Sequence, residues 1–252
     1  MHDETVVGEF TQQAAAFNAS AIAHAAGTLD ALVALAAPRA GERWLDVACG
    51  PGIVCRALAA HAGSVHGIDL TPAMVQLARA EASAADIANA TFAVGDATAL
   101  DLPDASVDGA IARFAIHHVP APGRMLSELA RVLRPGGRLV LADHLLDDDA
   151  DAAAWSQEIE RLRDPSHWAC LTLARQRALA RRAGLQLERE EVFAAQLDFD
   201  DWLARGSGGA GAGPTIEGLL AEPPAAAECL RVVERDGRRV LELRMWLARW
   251  RR

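Results

Sequence analysis

The chain has 252 residues, 51% of them apolar, enough to bury one large core. Charged residues make up 23%, and 34 acidic residues stand against 25 basic ones, all of them arginine, for a net charge of −9. Binding to a phosphate backbone runs on basic surface and counterion release, so no nucleic acid partner is expected.

The first ten residues carry Asp3, Glu4 and Glu9 and lack a basic stretch followed by an apolar one, so no secretory signal is expected there and the expected location is cytoplasmic. The most apolar segment, Ala21 to Ala37, contains His24 and Asp30 and falls short of the ~20 residues a bilayer requires. We read it as a core-facing helix, with no membrane span. Cys49, Cys55, Cys170 and Cys229 are scattered and form no CxxC pair, so reduced thiols and no metal site are expected. Tyrosine is absent, which excludes a phenol base.

From Arg43 onward, short apolar runs alternate with segments of helical period, the pattern of βα units on a mainly parallel sheet. Strands are predicted at Arg43 to Ala48, Ser64 to Asp69, Ala90 to Val94, Val107 to Ala112 and Arg138 to Asp143, with helices at Ile53 to His61, Pro72 to Ala84 and Arg124 to Leu133. Thr71 followed by Pro72 supplies a capping side chain and a fixed first-turn φ. Pro135-Gly136-Gly137 stops the third helix. After Asp143 an acidic run leads into two amphipathic stretches, Ala152 to Arg163 and about Leu171 to Arg182, read as a helical insertion. Gln186 to Leu197 and Val240 to Trp250 supply two further strands, a closing antiparallel pair. Between them Arg205 to Pro214, with five glycines, is expected to be a flexible loop, because it has little apolar area to offset its ordering entropy. The fold class is α/β, a doubly wound and mainly parallel sheet.

The strongest local signal is Trp44 to Gly52, a strand running into a glycine turn that opens a helix. Gly50 and Gly52 remove Cβ atoms where a ligand approaches the backbone. A dinucleotide fingerprint would have Gly or Ala three positions after Gly52, where this chain has Cys55. Asp46 sits just before the turn, and a pyrophosphate ~4 Å from a carboxylate would be repelled by roughly 1 to 4 kcal/mol. A ligand carrying an ammonium and a sulfonium suits it better. Asp69, closing the second strand, has the placement that accepts hydrogen bonds from ribose hydroxyls. Asp96, in Gly95-Asp96-Ala97, adds an acceptor for an exocyclic adenine amine. An Asp at a strand end is often only a turn former. Three of them in register with a glycine turn describe one crevice.

These segments, together with Gly67 to Met74 and Leu133 to Gly137, resemble the successive motifs of Rossmann-like S-adenosyl-L-methionine-dependent methyltransferases, most of all the ubiquinone and menaquinone C-methyltransferases and natural-product methyltransferases. The resemblance covers about residues 10 to 145 and is loose beyond. It implies that Ala48, Gly50 and Gly52 pass beneath the methionine part of the cofactor, with Asp46 beside it. Asp69 would hold the ribose, Leu70 and Met74 flank the adenine, and Gly95, Asp96 and Ala97 read its amine. Arg113 and Phe114 would border the methionine tail and the transferring methyl. Phe17 stands where related chains often carry tyrosine, and Ser20 and His24 follow on the same helical face, which closes over the cofactor as a lid or simply docks. The implied organisation is one domain: lid helices over 1–40, a cofactor-binding core over 41–145, the insertion over 146–185, and C-terminal strands with a mobile loop over 186–252.

The partner this implies is a small, partly apolar methyl acceptor, and homodimer formation is left open. In-line displacement draws most of its catalysis from alignment, so a base is needed only for a hydroxyl or acidic carbon. The imidazole candidates are His117 and His118 after the fourth strand, then His144, His167 and His24. Adjacent residues cannot both point into one pocket from a helix or strand, so at most one of the pair is expected to face the acceptor. Trp155, Trp168, Leu171, Phe199 and Trp202 are either pocket lining or core. A nicotinamide-dependent oxidoreductase is the competing reading, disfavoured by Asp46, Asp96 and Cys55. A protein of the same fold that binds the sulfonium cofactor without transferring its methyl is the other.

Overall fold

The computed structural model describes residues 2–19 and 26–252. Two helices, α1 (His2–Ala19) and α2 (Ala26–Ala36), precede the sheet. There follow β1 (Arg43–Val47), α3 (Ile53–Ala59), β2 (Ser64–Asp69), α4 (Pro72–Ala84), β3 (Ala90–Val94) and β4 (Val107–Arg113). A 3₁₀ turn at Ile116–His118 leads to α5 (Pro122–Val132) and β5 (Leu133–His144). The insertion is α6 (Ala150–Arg163) and α7 (Leu173–Arg182), and the chain closes with β6 (Gln186–Asp198), α8 (Phe199–Arg205), α9 (Gly209–Ala221), β7 (Leu230–Arg235) and β8 (Arg238–Arg251).

The strands lie in the order β3-β2-β1-β4-β5-β8-β6, with β7 also paired to β8. β1 to β5 are parallel, and β8 runs antiparallel to β5, β6 and β7. The order reverses between β1 and β4, and a doubly wound sheet leaves its ligand crevice outside the carboxyl ends at such a point. This is the Rossmann-like architecture expected, with the insertion after the fifth strand.

Helix burial follows the sequence period. On α5 the residues Met125, Leu126 and Leu129 are almost fully buried. On the other face of the sheet Trp44 fills the space left by Gly109, where a Cβ would come within 2.5 Å of the indole, and the Arg138 guanidinium lies 5.3 Å over that ring.

The segment expected to be a loop, Arg205 to Pro214, is structured: α9 begins at Gly209 and contains Pro214. The glycines serve close approach, not looseness. A Cβ on Gly206 would sit 2.2 Å from the Arg163 carbonyl oxygen and one on Gly208 2.0 Å from that of Leu162, so the turn packs flat on the end of α6. β7 was not anticipated, and Pro135 to Gly137 fall inside β5, at an irregularity where the pairing jumps from Val107↔Leu133 to Gly109↔Arg138.

Candidate active site

The carboxyl ends of β1 to β5 open into a cavity of about 370 Å³, a size that suits a small-molecule site. Its floor is the turn after β1. Ala48 and Gly50 have φ of 52° each and Gly52 has φ of 75°, so every second residue of the turn visits left-handed backbone that only glycine adopts without strain. Asp69 ties this turn to β2: its Oδ2 accepts from the Gly50 N–H and its Oδ1 from the Thr71 N–H, both at 2.8 Å. Asp96 is held by its own turn, accepting from the Thr98 N–H and hydroxyl at 2.7 Å. Asp46 is different. It is 2% exposed, accepts a hydrogen bond from the Cys55 thiol at 3.2 Å, and burial pushes its carboxyl up to about 7, opposed by that thiol and by the Arg113 guanidinium.

Asp46, Ala48, Gly50, Asp69, Leu70, Met74, Gly95, Asp96, Ala97, Arg113, Phe114, His117 and His118 all line this one cavity. Gly52 does not. A Cβ there would meet Phe92 at 2.8 Å and Ala78 at 3.0 Å, so its role is to let the start of α3 pack against β3 and α4. Ser20, His24 and the side chain of Phe17 lie outside the described residues.

Both adjacent histidines reach the cavity, against the expectation that one would turn away. The 3₁₀ turn that carries them brings their ring centroids to 4.1 Å. His117 is buried, and its Nδ1 lies 2.5 Å from Oδ1 of Asp143, itself 1% exposed. Asp143 Oδ2 also accepts from the Ile116 N–H at 2.7 Å, and Oδ1 from the His144 N–H at 2.8 Å. His118 Nδ1 faces the Ser166 carbonyl at 3.0 Å. Each Nδ1 therefore carries the proton in the neutral ring, and each Nε2 keeps a lone pair. His144 stacks on His117 at 4.4 Å. Burial holds His117 well below the usual imidazole range and His144 down to about 3, so these rings are neutral at physiological pH. His117, Asp143 and His144 present donor atoms within 4.8 Å of one another, close enough to share a metal ion. In this structure His117 Nδ1 and Asp143 Oδ1 face each other. His167 is buried, bonded to Gln157 at 2.5 Å, and lies off the cavity lining.

The rest of the cavity lining was legible in the sequence only in part, through the lid-or-docking helix at the amino terminus and through Trp202. Asp3, Val6, Phe10 and Gln13 of α1 form one wall, and Arg163, Asp164, Leu197, Trp202, Arg205 and Leu243 another. Helix α1 is fastened there: buried Glu9 accepts from the Ser207 N–H at 2.8 Å and from the Ser207 hydroxyl, while His2 Nε2 donates to the His118 carbonyl at 2.9 Å. Trp155 and Phe199 belong to the core, Trp202 is both core and lining, and Trp168 is 46% exposed. Asp143 could have been found, since it closes β5 as Asp69 closes β2.

A doubly wound sheet with carboxylates at successive strand ends and a buried imidazole–carboxylate pair beside them is the setting of an α/β enzyme domain whose ligand site lies at the carboxyl ends of its strands. Residues 45–141 match the family model of a methyltransferase domain. An uncharacterized methyltransferase of Bacillus subtilis, YcgJ, is 31% identical over 178 residues, covering 71% of this chain and 70% of the relative. Its crystal structure superposes with a TM-score of 0.84 at 27% identity over 90% of this chain and 98% of that one. The 27-O-demethylrifamycin SV methyltransferase of Amycolatopsis mediterranei is 37% identical over 166 residues, 64% of this chain and 60% of that protein. The chain belongs to the Rossmann-like, S-adenosylmethionine-dependent methyltransferases, a family that also includes the ubiquinone/menaquinone C-methyltransferase of Roseobacter denitrificans, 39% identical over 117 residues, 45% of this chain and 47% of that one. It is an enzyme that methylates a small molecule.

Proposed function

We propose that the chain binds S-adenosylmethionine along Asp46, Gly50, Asp69, Met74 and Asp96 and that His117, oriented by Asp143, removes a proton from the acceptor. The donor set suits this cofactor. Asp46 is a desolvated carboxylate that gains most from a cationic partner, matching the ammonium of the amino-acid portion. Asp69 and Asp96 keep lone pairs beyond those that their turns use, available to hydroxyl and amine donors. When bound, the cofactor supplies an electrophilic methyl on a sulfonium.

The chain's own residues then have two tasks. Arg113, Phe114 and the α1 wall exclude water and fix the line of approach. His117 Nε2 accepts the acceptor's proton, and Asp143 stabilises the resulting imidazolium through the Nδ1–H bond. His118, whose Nδ1 faces the Ser166 carbonyl while Asp164 and Asp143 act on it only through space, is assigned the positioning role. The observation that carries this assignment is the 2.5 Å contact between His117 and Asp143 inside the cavity.

The test is a pair of measurements on His117→Ala and His118→Ala. Calorimetry should give wild-type affinity for S-adenosylhomocysteine in both, while transfer of labelled methyl to an acceptor should collapse only in His117→Ala. Full transfer by His117→Ala would remove the base role and leave alignment alone.

A further inference from the structure

The cavity carries a side-chain cluster that proton transfer does not fully use. His117 from the 3₁₀ turn and His144 from the end of β5 both line it, with Asp143 beside them. One donor atom from each of the three lies within 4.8 Å of the other two. Asp143 is held by the Ile116 N–H at 2.7 Å and the His144 N–H at 2.8 Å, which keeps its carboxylate against His117. His144 is the member left unpaired. Its buried Nδ1 has no hydrogen-bond partner, and Glu160 Oε1 stands off at 3.8 Å, too far for a hydrogen bond. An imidazole nitrogen in that condition is costly in a protein interior. With Nε2 on a cation, the Nδ1–H of His144 would point to Glu160, the arrangement in which a carboxylate orients a metal-bound histidine.

The surroundings favour positive charge. Asp143, Asp164 and Arg163 all act on Glu160 through space, so even with Glu160 protonated two carboxylates stand against one guanidinium. Two imidazole nitrogens and one carboxylate oxygen select zinc and its neighbours cobalt and nickel over magnesium and calcium, which take oxygen donors. Such an ion holds its ligands at about 2.0 to 2.2 Å, so closing the cluster asks for side-chain movements of about 1 to 2 Å. The cavity itself is the entry path.

We propose that His117, Asp143 and His144 form a site for one divalent transition-metal ion of the zinc class, and that the loaded site is shut to proton removal. The second half rests on the base reading of His117. An ion on its Nε2 takes the lone pair directly. An ion on its Nδ1 moves that ring proton to Nε2, which then has no lone pair to offer. By either route the acceptor's proton loses its imidazole, and the metal-free protein is the active form.

The experiment is calorimetry on the full chain, stripped with chelator, dialysed and titrated with zinc chloride. One zinc ion per chain is expected, with a Kd of about 10 μM or tighter. His144→Ala and Asp143→Asn should each weaken it about tenfold or more, while replacing the exposed His61 by alanine should not. Cobalt(II) on the wild type should give visible d–d bands without the intense near-ultraviolet absorption of a cobalt–thiolate bond, which separates this site from the four cysteines. That spectrum needs no variant, so it decides the matter even where a substitution fails to fold. In the labelled-methyl assay zinc should lower wild-type turnover about tenfold or more, and chelator should restore it. No binding at about 100 μM zinc, thiolate absorption in the cobalt spectrum, or affinity retained in both His144→Ala and Asp143→Asn would overturn the site and leave the base reading of His117 untouched. Zinc that binds here yet leaves turnover unchanged would overturn the block and count against the base role, while the site itself stands.

Discussion

Replacing Asp69 by alanine tests the cofactor site at its most constrained point. The carboxylate is fixed by two 2.8 Å bonds from the Gly50 and Thr71 N–H groups, so its remaining lone pairs are aimed before any ligand arrives. Two ribose hydroxyls donating to an ionised acceptor contribute roughly 1.5 to 3 kcal/mol each, which puts the loss at about 3 to 6 kcal/mol. That corresponds to at least about a hundredfold in Kd for S-adenosylhomocysteine. The substitution also strips two backbone donors of their acceptor, and Asp69→Asn separates the two effects. Its amide oxygen can still accept from one of those N–H groups, so the melting temperature should recover more than the affinity does. Isothermal titration at pH 8 with thermal melts on the same samples reads both quantities. Asp69→Ala with wild-type affinity and a normal melt would refute the ribose assignment.

The remaining predictions use other parts of the site. Asp46 titrates at about 7, and its charged form, dominant above that pH, is the one that attracts an ammonium; S-adenosylhomocysteine should therefore bind about tenfold more weakly at pH 6 than at pH 8, and Asp46→Asn should bind weakly with no such slope. Asp143→Asn should leave that affinity intact while lowering methyl transfer by about ten- to a hundredfold, since it removes a charge-assisted bond worth roughly 1.5 to 3 kcal/mol to the imidazolium; transfer within twofold of wild type would argue that no base is used. Gly52→Ala forces a left-handed residue against Phe92 and should cost about 2 to 4 kcal/mol of stability in denaturant melts. Glu9→Ala frees α1 from Ser207 and should speed cofactor dissociation in stopped-flow measurements; an unchanged off-rate would show that α1 does not limit exit.

The parallel half of the sheet was legible because its signals are local. Strand runs, the Thr71-Pro72 start of α4 and the aspartates closing β2 and following β3 each depend on a few consecutive residues. The glycine-rich segment misled for the converse reason. Its composition reads as flexible, and only the carbonyls of Leu162 and Arg163, more than 40 residues earlier, explain why Gly206 and Gly208 must lack a Cβ. The second wall of the cavity was legible only at Trp202, read from the sequence as either lining or core. Arg163, Trp202 and Leu243 come from three elements that meet through tertiary packing alone, and nothing in the spacing of these residues announces it. His117 and His118 were misjudged geometrically, because the rule that neighbours diverge holds for helices and strands but not for the short turn they occupy.

Four aspartates stand at or just past the carboxyl ends of parallel strands, and the same residue in the same topological place acquires four environments. Asp96 is satisfied by Thr98 within its own turn, a cheap arrangement that leaves it tolerant of whichever donor faces it. Asp69 is satisfied by backbone of the turns that follow β1 and β2, which makes it rigid. Asp46 has a thiol as its hydrogen-bond donor, burial pushes its carboxyl up to about 7, and a cation beside it would relieve that cost. Asp143 is covered by backbone N–H groups and an imidazole, so its charge is already spoken for and is transmitted to His117. The proposed grip on the sugar, attraction of the ammonium and support of a base would each follow from what the following loop offers its carboxylate. A single substitution at any of them should perturb one of these properties and spare the others.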